Sequence, residues 1–228
     1  MRTTEIARRW SPSELYISHM AKGHTEDVIA TIDVDAFMAL RKNAREKTKT
    51  LNNVKYFNLK PYMHEHMRRA LSLRLNNAGI KVLDIGTGFG YFPYICEFFG
   101  NTAVALDVPD HPLFDDVTNF LNVNKMRQRV ETFQPLVGLD RSFDLVTAFQ
   151  LAFNGHKGKR WGEEEWAFFL DDVFNNVLKQ TGELVLEPNY DFKHRFWLSP
   201  SEFRAFRRYR TQISGRRIRV KRNSTAAS

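Results

Sequence analysis

The sequence predicts an α/β protein with a doubly wound, mostly parallel seven-stranded sheet, an N-terminal helical cap and a C-terminal antiparallel hairpin. Three observations predict this fold. The first eighty residues have helical but no strand patterning; short apolar runs then alternate with amphipathic segments; and the C-terminal segment alternates apolar with basic residues. We therefore expect a helical cap over 1–79, an α/β domain over 80–222 and a flexible tail over 223–228.

The N-terminal region is predicted to be helical. Asp33 to Lys49 is rich in helix formers, and from Pro61 to Leu75 apolar residues recur at spacings of three and four. Ser11-Pro12-Ser13-Glu14 has the pattern of a capped helix start, because serine stands at the N-cap and glutamate three residues later. Gly79 suits the residue that follows a helix end.

Apolar runs after Gly79 are predicted to be buried parallel strands, which read as nearly continuous apolar segments. An amphipathic helix is predicted before the last of them, over Glu163 to Leu178, with three glutamates in its first turn and Gly182 just past its end. The five predicted strands are Lys81–Ile85, Asn101–Val108, Arg129–Phe133, Phe143–Phe149 and Glu183–Leu186.

The C-terminal segment combines a capped helix with a hairpin. Ser199 begins a second capping pattern, for a helix over Pro200 to Tyr209, and a hairpin turns at Gly215. Between Ser201 and Arg222 lie nine basic residues and one acidic residue, equivalent to the whole net charge of +8. This segment can attract phosphate or an acidic partner, or it can be a solvated surface whose charges discourage edge pairing. We favour the solvated surface.

A glycine-rich turn follows the first predicted strand, in Asp84-Ile85-Gly86-Thr87-Gly88-Phe89-Gly90. Glycines let the backbone pass close to a ligand. Asp107 ends the next predicted strand seventeen residues after Gly90, and in a parallel unit its carboxylate can accept both hydroxyls of a ribose. Tyr91 stands where a dinucleotide turn needs a third small residue, which disfavours NAD and FAD.

The segment from Lys81 to Pro188 resembles the class I S-adenosylmethionine-dependent methyltransferases, through Asp84–Gly90 as their first motif and Asp107 as their ribose-binding acid. The resemblance implies a Rossmann-like fold, S-adenosyl-L-methionine as cofactor and methyltransferase activity. Phe133 is equally well explained as a core residue. The cofactor contacts that the resemblance implies are Asp84, Gly86, Thr87, Gly88, Gly90, Asp107, Val108, Phe133, Gln134 and Gln150.

The acceptor is expected at the carboxyl edge of the sheet, where ligands bind in such folds. His156, in the loop after the fourth predicted strand, is a candidate general base, although an exposed loop histidine explains it more simply. Glu187 is the second catalytic candidate. Proximity and alignment can also supply much of the rate without a base. The candidate acceptor contacts are Asn154, Trp161 and Asn189.

No metal site is predicted. His64 and His66 are two positions apart on a predicted helix and therefore do not share a face. The Asn-Pro-Pro-Tyr motif of many enzymes that methylate exocyclic amines is also absent, and Ala148–Leu151 takes its place. This substitution weakens the prediction of a nucleobase amino group as acceptor.

The leading hypothesis is a small-molecule methyltransferase that acts on oxygen, with nitrogen as the second choice, and in which the N-terminal helices close over the acceptor. One alternative is an RNA methyltransferase that binds RNA through residues 204–222, and another is a non-catalytic module. No apolar run reaches the roughly 18 residues of a membrane span, no secretion leader is recognised, and Cys96 is the single cysteine. We therefore expect a cytoplasmic protein without membrane contact, and no oligomeric state is predicted.

Overall fold

The computed structural model describes residues 12–47, 51–109, 111–151, 153–158, 160–189 and 198–223. The chain forms two compact units, Met1–Asn76 and Asn77–Ser228. The predicted N-cap Ser11 and the tail from residue 224 lie outside the described residues. None of the helices in the described part of the chain combines the length and the apolar character that crossing a bilayer requires.

The first unit is helical, as its patterning predicts. The apolar residues of its third helix, Met63, Met67 and Ala70, are buried at spacings of four and three, and this helix packs against the first. The helices are α1 (Pro12–Ala30), α2 (Val34–Lys47) and α3 (Leu59–Ser72), with 3₁₀ segments at Leu51–Phe57 and Leu75–Asn77.

Helix α3 ends earlier than the sequence predicts. Its C-cap is Leu73, and the next residue, Arg74, has a left-handed φ of 59°. The amides of Leu73 and Arg74 donate to the carbonyls of Arg69 and Leu71, which satisfies carbonyl groups at the helix end. Gly79 also has a positive φ but lies beyond this end, so its assignment as the terminating residue is wrong.

The second unit contains the predicted seven-stranded sheet in the order β3-β2-β1-β4-β5-β7-β6. Neighbouring strands from β3 to β5 are parallel, and β7 pairs antiparallel with both β5 and β6. The predicted fold class is confirmed. The strands are β1 (Lys81–Ile85), β2 (Thr102–Asp107), β3 (Lys125–Arg127), β4 (Phe143–Leu151), β5 (Leu178–Pro188), β6 (Arg210–Ser214) and β7 (Arg217–Lys221).

Four α-helices of the described residues accompany this sheet, and a buried aromatic and aliphatic core joins the last two of them to it. Trp166, with no exposed surface, packs with Phe206 and with the apolar residues of β5 and β7. Apolar burial of this kind is the main stabilising contribution to such a fold. The helices are α4 (Tyr91–Phe98), α5 (Pro112–Phe120), α6 (Glu163–Asp172) and α7 (Pro200–Phe206).

The third strand is not where the sequence predicts it. It spans Lys125–Arg127 beside β2, and residues 129–133 form a loop. The apolar pattern used to predict strands does not find this one, because two of its three residues are basic. Asp115 forms ion pairs with both, with Lys125 at 2.8 Å and with Arg127 at 3.2 Å. Val130 lies in this loop but its side chain is buried, which explains why the sequence is apolar there.

The helix predicted over 163–178 is also shorter. Its α-helical part ends at Asp172, a π-helical turn covers Val173–Val177, and β5 begins at Leu178. Gly182 therefore lies inside β5, next to an irregularity in the pairing with β4. A β-carbon at Gly182 would come within 2.8 Å of Leu178 Cδ2. This close approach accounts for a glycine in a strand.

The predicted capping of α7 is confirmed at its N-terminus. Ser199 Oγ accepts the amide proton of Glu202 at 3.3 Å, and the Glu202 carboxylate accepts the Ser199 amide proton. Each of these two side chains therefore satisfies a backbone amide that the helix itself leaves unpaired. The helix ends at Phe206 rather than at Tyr209.

Asp144 gives a pH-dependent prediction. Burial raises the pKa of its carboxyl, but hydrogen bonds from Lys179, at 2.8 Å, and the Lys81 amide, at 2.9 Å, outweigh burial and lower the pKa. A depressed carboxyl pKa stabilises the fold above its unfolded value, and this contribution disappears as pH falls through the folded value. Asp144→Asn should therefore cost about 1 kcal/mol of unfolding free energy at neutral pH and less at about pH 3, which is below the pKa of about 3.9 of an unfolded aspartate.

Urea denaturation at both pH values measures this difference. The exposed Asp116 makes no ion pair in the described part of the chain, so Asp116→Asn is the matched control and should be neutral at both. A loss for Asp144→Asn that is equal at the two pH values would contradict the assignment.

Candidate active site

The predicted glycine turn connects β1 to α4. Gly86, Gly88 and Gly90 have φ values of 75°, 60° and 78°, a region that other residues rarely adopt. The Gly86 amide donates to the Leu106 carbonyl at 2.7 Å, which fixes the turn against β2. The turn thus has the conformation that its glycines predict.

The three glycines have different surroundings. A β-carbon at Gly86 or Gly88 would meet no atom within 4 Å, so both border open space. At Gly90 it would lie 3.0 Å from Thr118 Cγ2 and 3.3 Å from Val123 Cγ2. Gly90 therefore serves packing, whereas the first two leave room for a ligand.

This difference predicts opposite behaviour for two alanine variants. Both carry a strain of about 1 kcal/mol from their positive φ. Gly88→Ala should lose roughly tenfold in ligand affinity because its methyl group enters the open space, while Gly90→Ala should lose an additional 1 to 2 kcal/mol or so of stability from overpacking. Calorimetric titration measures the ligand affinity of both variants, and urea denaturation measures their stability. The prediction is wrong if Gly88→Ala binds ligand as tightly as the wild type.

Asp107, at the end of β2, lies beside the turn. Its side chain is buried, Oδ2 accepts the Gly88 amide proton at 2.6 Å, and Oδ1 accepts that of Val108 at 2.7 Å. A carboxylate oxygen can accept more than one hydrogen bond. Both oxygens therefore keep capacity for additional donors, such as the two hydroxyls of a ribose.

Thr87 adds a polar group to the same turn. The residue is buried, and its hydroxyl has no hydrogen-bond partner among the described residues. Buried hydroxyls nearly always have a partner. A polar ligand in the open space beside Gly86 and Gly88 fits this unsatisfied group.

Asp84, before the turn, is held from the neighbouring strand. Its side chain is 3% exposed, and Oδ1 accepts the Thr147 hydroxyl proton at 2.7 Å. The sequence did not indicate Thr147, which lies 63 positions away on β4. Burial, followed by the nearby Asp84 charge, raises the pKa of Cys96 well above its usual value, which suits a core thiol. The predicted contact of Asp84 with the cofactor stays a prediction.

Gln150 lies near the end of β4 with an unusual backbone. Its φ is 55°, it is exposed, and the pairing of β4 with β5 shifts between Phe149 and Leu151. Phe149 remains buried and packs edge-on against Phe92 at 4.8 Å. A left-handed non-glycine residue costs energy and often marks a functional position. No local sequence pattern indicates this conformation.

Phe133 and Gln134 lie in the loop after β3, and both are exposed. Phe133 has a left-handed φ of 57°, is 48% exposed and contacts Phe168 edge-on at 5.8 Å. Phe133 is therefore not a core residue. Its contact with adenine, like those of Gln134 and the partly exposed Val108, stays a prediction.

Glu187 is paired in a way that the sequence did not reveal. Oε1 accepts hydrogen bonds from Arg217 Nε at 2.9 Å and Nη2 at 2.7 Å, and both side chains are largely buried. The partner comes from β7, 30 positions later, within the segment interpreted as a solvated basic surface. The catalytic role of Glu187 stays a prediction.

The remaining candidates lie beyond β4 and β5. The Asn154 carbonyl accepts the Trp161 amide proton at 2.7 Å, and Asn189 is exposed. His156 belongs to the 3₁₀ segment Phe153–Gly158, but its side chain lies outside the described residues. The roles of these residues stay predictions. The buried Trp161 ring contacts the rings of Phe153, Trp166 and Phe169.

The histidines of α3 have separate partners. His64 Nδ1 lies 3.4 Å from Thr25 Oγ1, and His66 Nδ1 lies 3.4 Å from Arg69 Nη1. Within the described residues, no group of three or more histidine, cysteine or acidic side chains could hold a metal ion.

Comparison with known proteins establishes the fold. No protein-family model and no curated protein matches the sequence significantly. Many solved structures match in fold, and S-adenosylmethionine-dependent methyltransferases are among them. At the identities of the three matches described next, a likeness establishes the fold alone, which here is a mostly parallel seven-stranded sheet with a C-terminal antiparallel hairpin, flanked by helices.

Three of these structures illustrate the extent of the match. DesVI of Streptomyces venezuelae has a TM-score of 0.55 at 12% identity, covering 71% of this chain and 92% of its own. The PH0226 protein of Pyrococcus horikoshii has 0.51 at 16%, covering 72% and 90%. A TehB-like SAM-dependent methyltransferase from Corynebacterium glutamicum has 0.48 at 16%, covering 72% and 99%.

Proposed function

We propose that this chain is a methyltransferase that uses S-adenosyl-L-methionine. The observation that carries the proposal is the open space at Gly86 and Gly88, which the buried Asp107 carboxylate borders through its bond to the turn. The unsatisfied Thr87 hydroxyl and the class I fold support it. A pyrophosphate-bearing dinucleotide is disfavoured because Tyr91 follows the third glycine.

The residues of the turn hold and orient the cofactor in this proposal. The Asp107 carboxylate accepts hydrogen bonds from the ribose hydroxyls. The backbone at Gly86 and Gly88 passes close to the nucleoside and methionine portions of the cofactor. When bound, the cofactor supplies a methyl group on a sulfonium sulfur, which an acceptor lone pair can attack. The chain contributes mainly by alignment, which can account for a large part of such a rate.

We place the acceptor, a small molecule methylated on oxygen or nitrogen, at the ends of β4 and β5. The strained backbone at Gln150 and the polar residues Asn154 and Asn189 support this position. We assign the general base to His156, because an unperturbed imidazole has a pKa of about 6.5, near neutrality. Glu187 is the weaker candidate because Arg217 already holds its carboxylate.

RNA is less favoured as the acceptor, because much of the basic segment is neutralised within the protein. Among the described residues, five of its nine cations form ion pairs with acidic side chains, which reduces the charge available to phosphates. These pairs are Arg204–Glu163 at 2.6 Å, Arg208–Asp171 at 3.4 Å, Arg217–Glu187 at 2.7 Å, Arg219–Glu183 at 2.5 Å and Lys221–Glu183 at 3.6 Å.

Calorimetric titration with S-adenosylmethionine and with its demethylated product tests the cofactor, and NAD is the matched control. We expect binding of the first two and none of NAD. If neither sulfur nucleoside binds, the proposal is wrong. Radiolabelled cofactor and fractionated cell extract then identify the acceptor; binding without transfer to any fraction would favour a non-catalytic module.

A further inference from the structure

A polar cavity lies at the antiparallel end of the sheet, away from the glycine turn. In the strand register, Lys221 stands between Glu183 on β5 and Arg210 on β6, and Arg219 stands beside Gln212. Alternate residues of a strand share a face, so these side chains project from one side of the sheet. The five residues line a cavity of about 180 Å³.

Cations outnumber acids in this cavity. Glu183 binds Arg219 through two hydrogen bonds, at 2.5 and 2.8 Å, and lies 3.6 Å from Lys221 Nζ. Arg210 is exposed and makes no ion pair in the described part of the chain. Three cations thus face one carboxylate, and the cavity has a formal charge excess of +2.

The cavity is separate from the proposed active site. β6 is four positions from β1 in the sheet, or roughly 19 Å at the usual strand spacing. Glu183 also lies four residues before Glu187, about 13 Å from the edge at which the acceptor is placed. A ligand here would not compete directly with cofactor or acceptor.

We propose that this cavity binds the terminal phosphate of a small phosphorylated molecule, or free inorganic phosphate. A phosphate monoester carries between about −1.5 and −2 at neutral pH, which matches the excess charge. Arginine presents a planar set of donors that suits phosphate oxygens, and the Gln212 amide adds donors. The phosphodiesters of RNA carry one charge each. The size and charge of the cavity therefore favour a single monoester group.

Binding of two probes, inorganic phosphate and glycerol 3-phosphate, tests the proposal by ³¹P NMR titration at constant ionic strength. We expect the wild type to bind at least one, and the stronger probe distinguishes free phosphate from a monoester. Arg210→Gln should weaken that binding about tenfold, because it removes the uncompensated arginine. Arg207→Gln is the matched control, since Arg207 is exposed, unpaired in the described residues and outside the cavity.

Three results with these two probes would overturn the proposal: no binding of either probe to the wild type, equal binding by the wild type and Arg210→Gln, or an equal loss in both variants. Single-stranded RNA that binds more tightly than both probes, and is lost in Arg210→Gln, would overturn it in favour of a polyanion surface. Circular dichroism of each variant confirms folding, and none of these substitutions touches the glycine turn.

Discussion

Replacing Asp107 with alanine is expected to lower the affinity for S-adenosylmethionine by at least about a hundredfold. The variant loses two charge-assisted hydrogen bonds to the ribose, each worth roughly 1.5 to 3 kcal/mol. It also releases the Gly88 and Val108 amides, which the carboxylate now holds at 2.6 and 2.7 Å. The turn would then be less well ordered for its ligand, and both effects act in the same direction.

Calorimetric titration measures the loss, and two variants separate its causes. Asp107→Asn keeps the shape but removes the charge, so we expect a smaller loss of roughly tenfold. Asp116→Ala removes an exposed acid from α5 and should bind like the wild type. Thermal unfolding must show that Asp107→Ala is folded at the temperature of the titration. An affinity within threefold or so of the wild type would remove the basis for the ribose assignment.

Glu202→Ala is expected to lower the free energy of unfolding by about 3 kcal/mol. Glu202 is only 2% exposed and serves two partners: it accepts the Ser199 amide proton at the start of α7 and the Arg160 Nε proton at 2.6 Å. Losing the cap costs about 1 kcal/mol, and leaving a cation without its buried partner costs more. The second contribution is reduced because Arg160 is one-third exposed.

Urea denaturation of a double-mutant cycle tests this assignment. Arg160→Ala should cost about 1 to 2 kcal/mol, and the double variant should cost less than the sum of the two single ones. Ser199→Ala should cost about 1 kcal/mol by itself. Additive losses for Arg160 and Glu202 would show that the ion pair does not contribute.

The parts of the fold that follow from local patterns were predictable. The glycine turn, the carboxylate of Asp107 and the hairpin at Gly215 each depend on residues close in sequence or on a fixed spacing. The third strand was not predictable in this way, because Lys125 and Arg127 are stabilised by Asp115 rather than by apolar burial. The apolar signal of Val130 instead indicated a strand where the chain forms a loop.

In the candidate site, too, only the features that depend on local sequence were predictable. Nothing local to Asp84 or Glu187 identifies Thr147 and Arg217 as their partners, because strand pairing brings these residues together over 63 and 30 positions. The left-handed backbone of Gln150 was likewise hidden, since glutamine has no special preference for it. Local sequence patterns thus predicted the glycine turn. The hydrogen-bond partners of Asp84 and Glu187 depend on strand pairing, which those patterns do not show.

The π-helical turn at Val173–Val177 limits how this part of the chain can change in length. α6 passes through it directly into β5, without a loop that could absorb an added or deleted residue. Deleting one residue of α6 between Phe169 and Val173 would rotate the preceding part of this helix by about 100° relative to the sheet. Trp166 and Phe169 would then turn out of the core. Length variation should be tolerated far better in exposed connections than between Glu163 and Leu178.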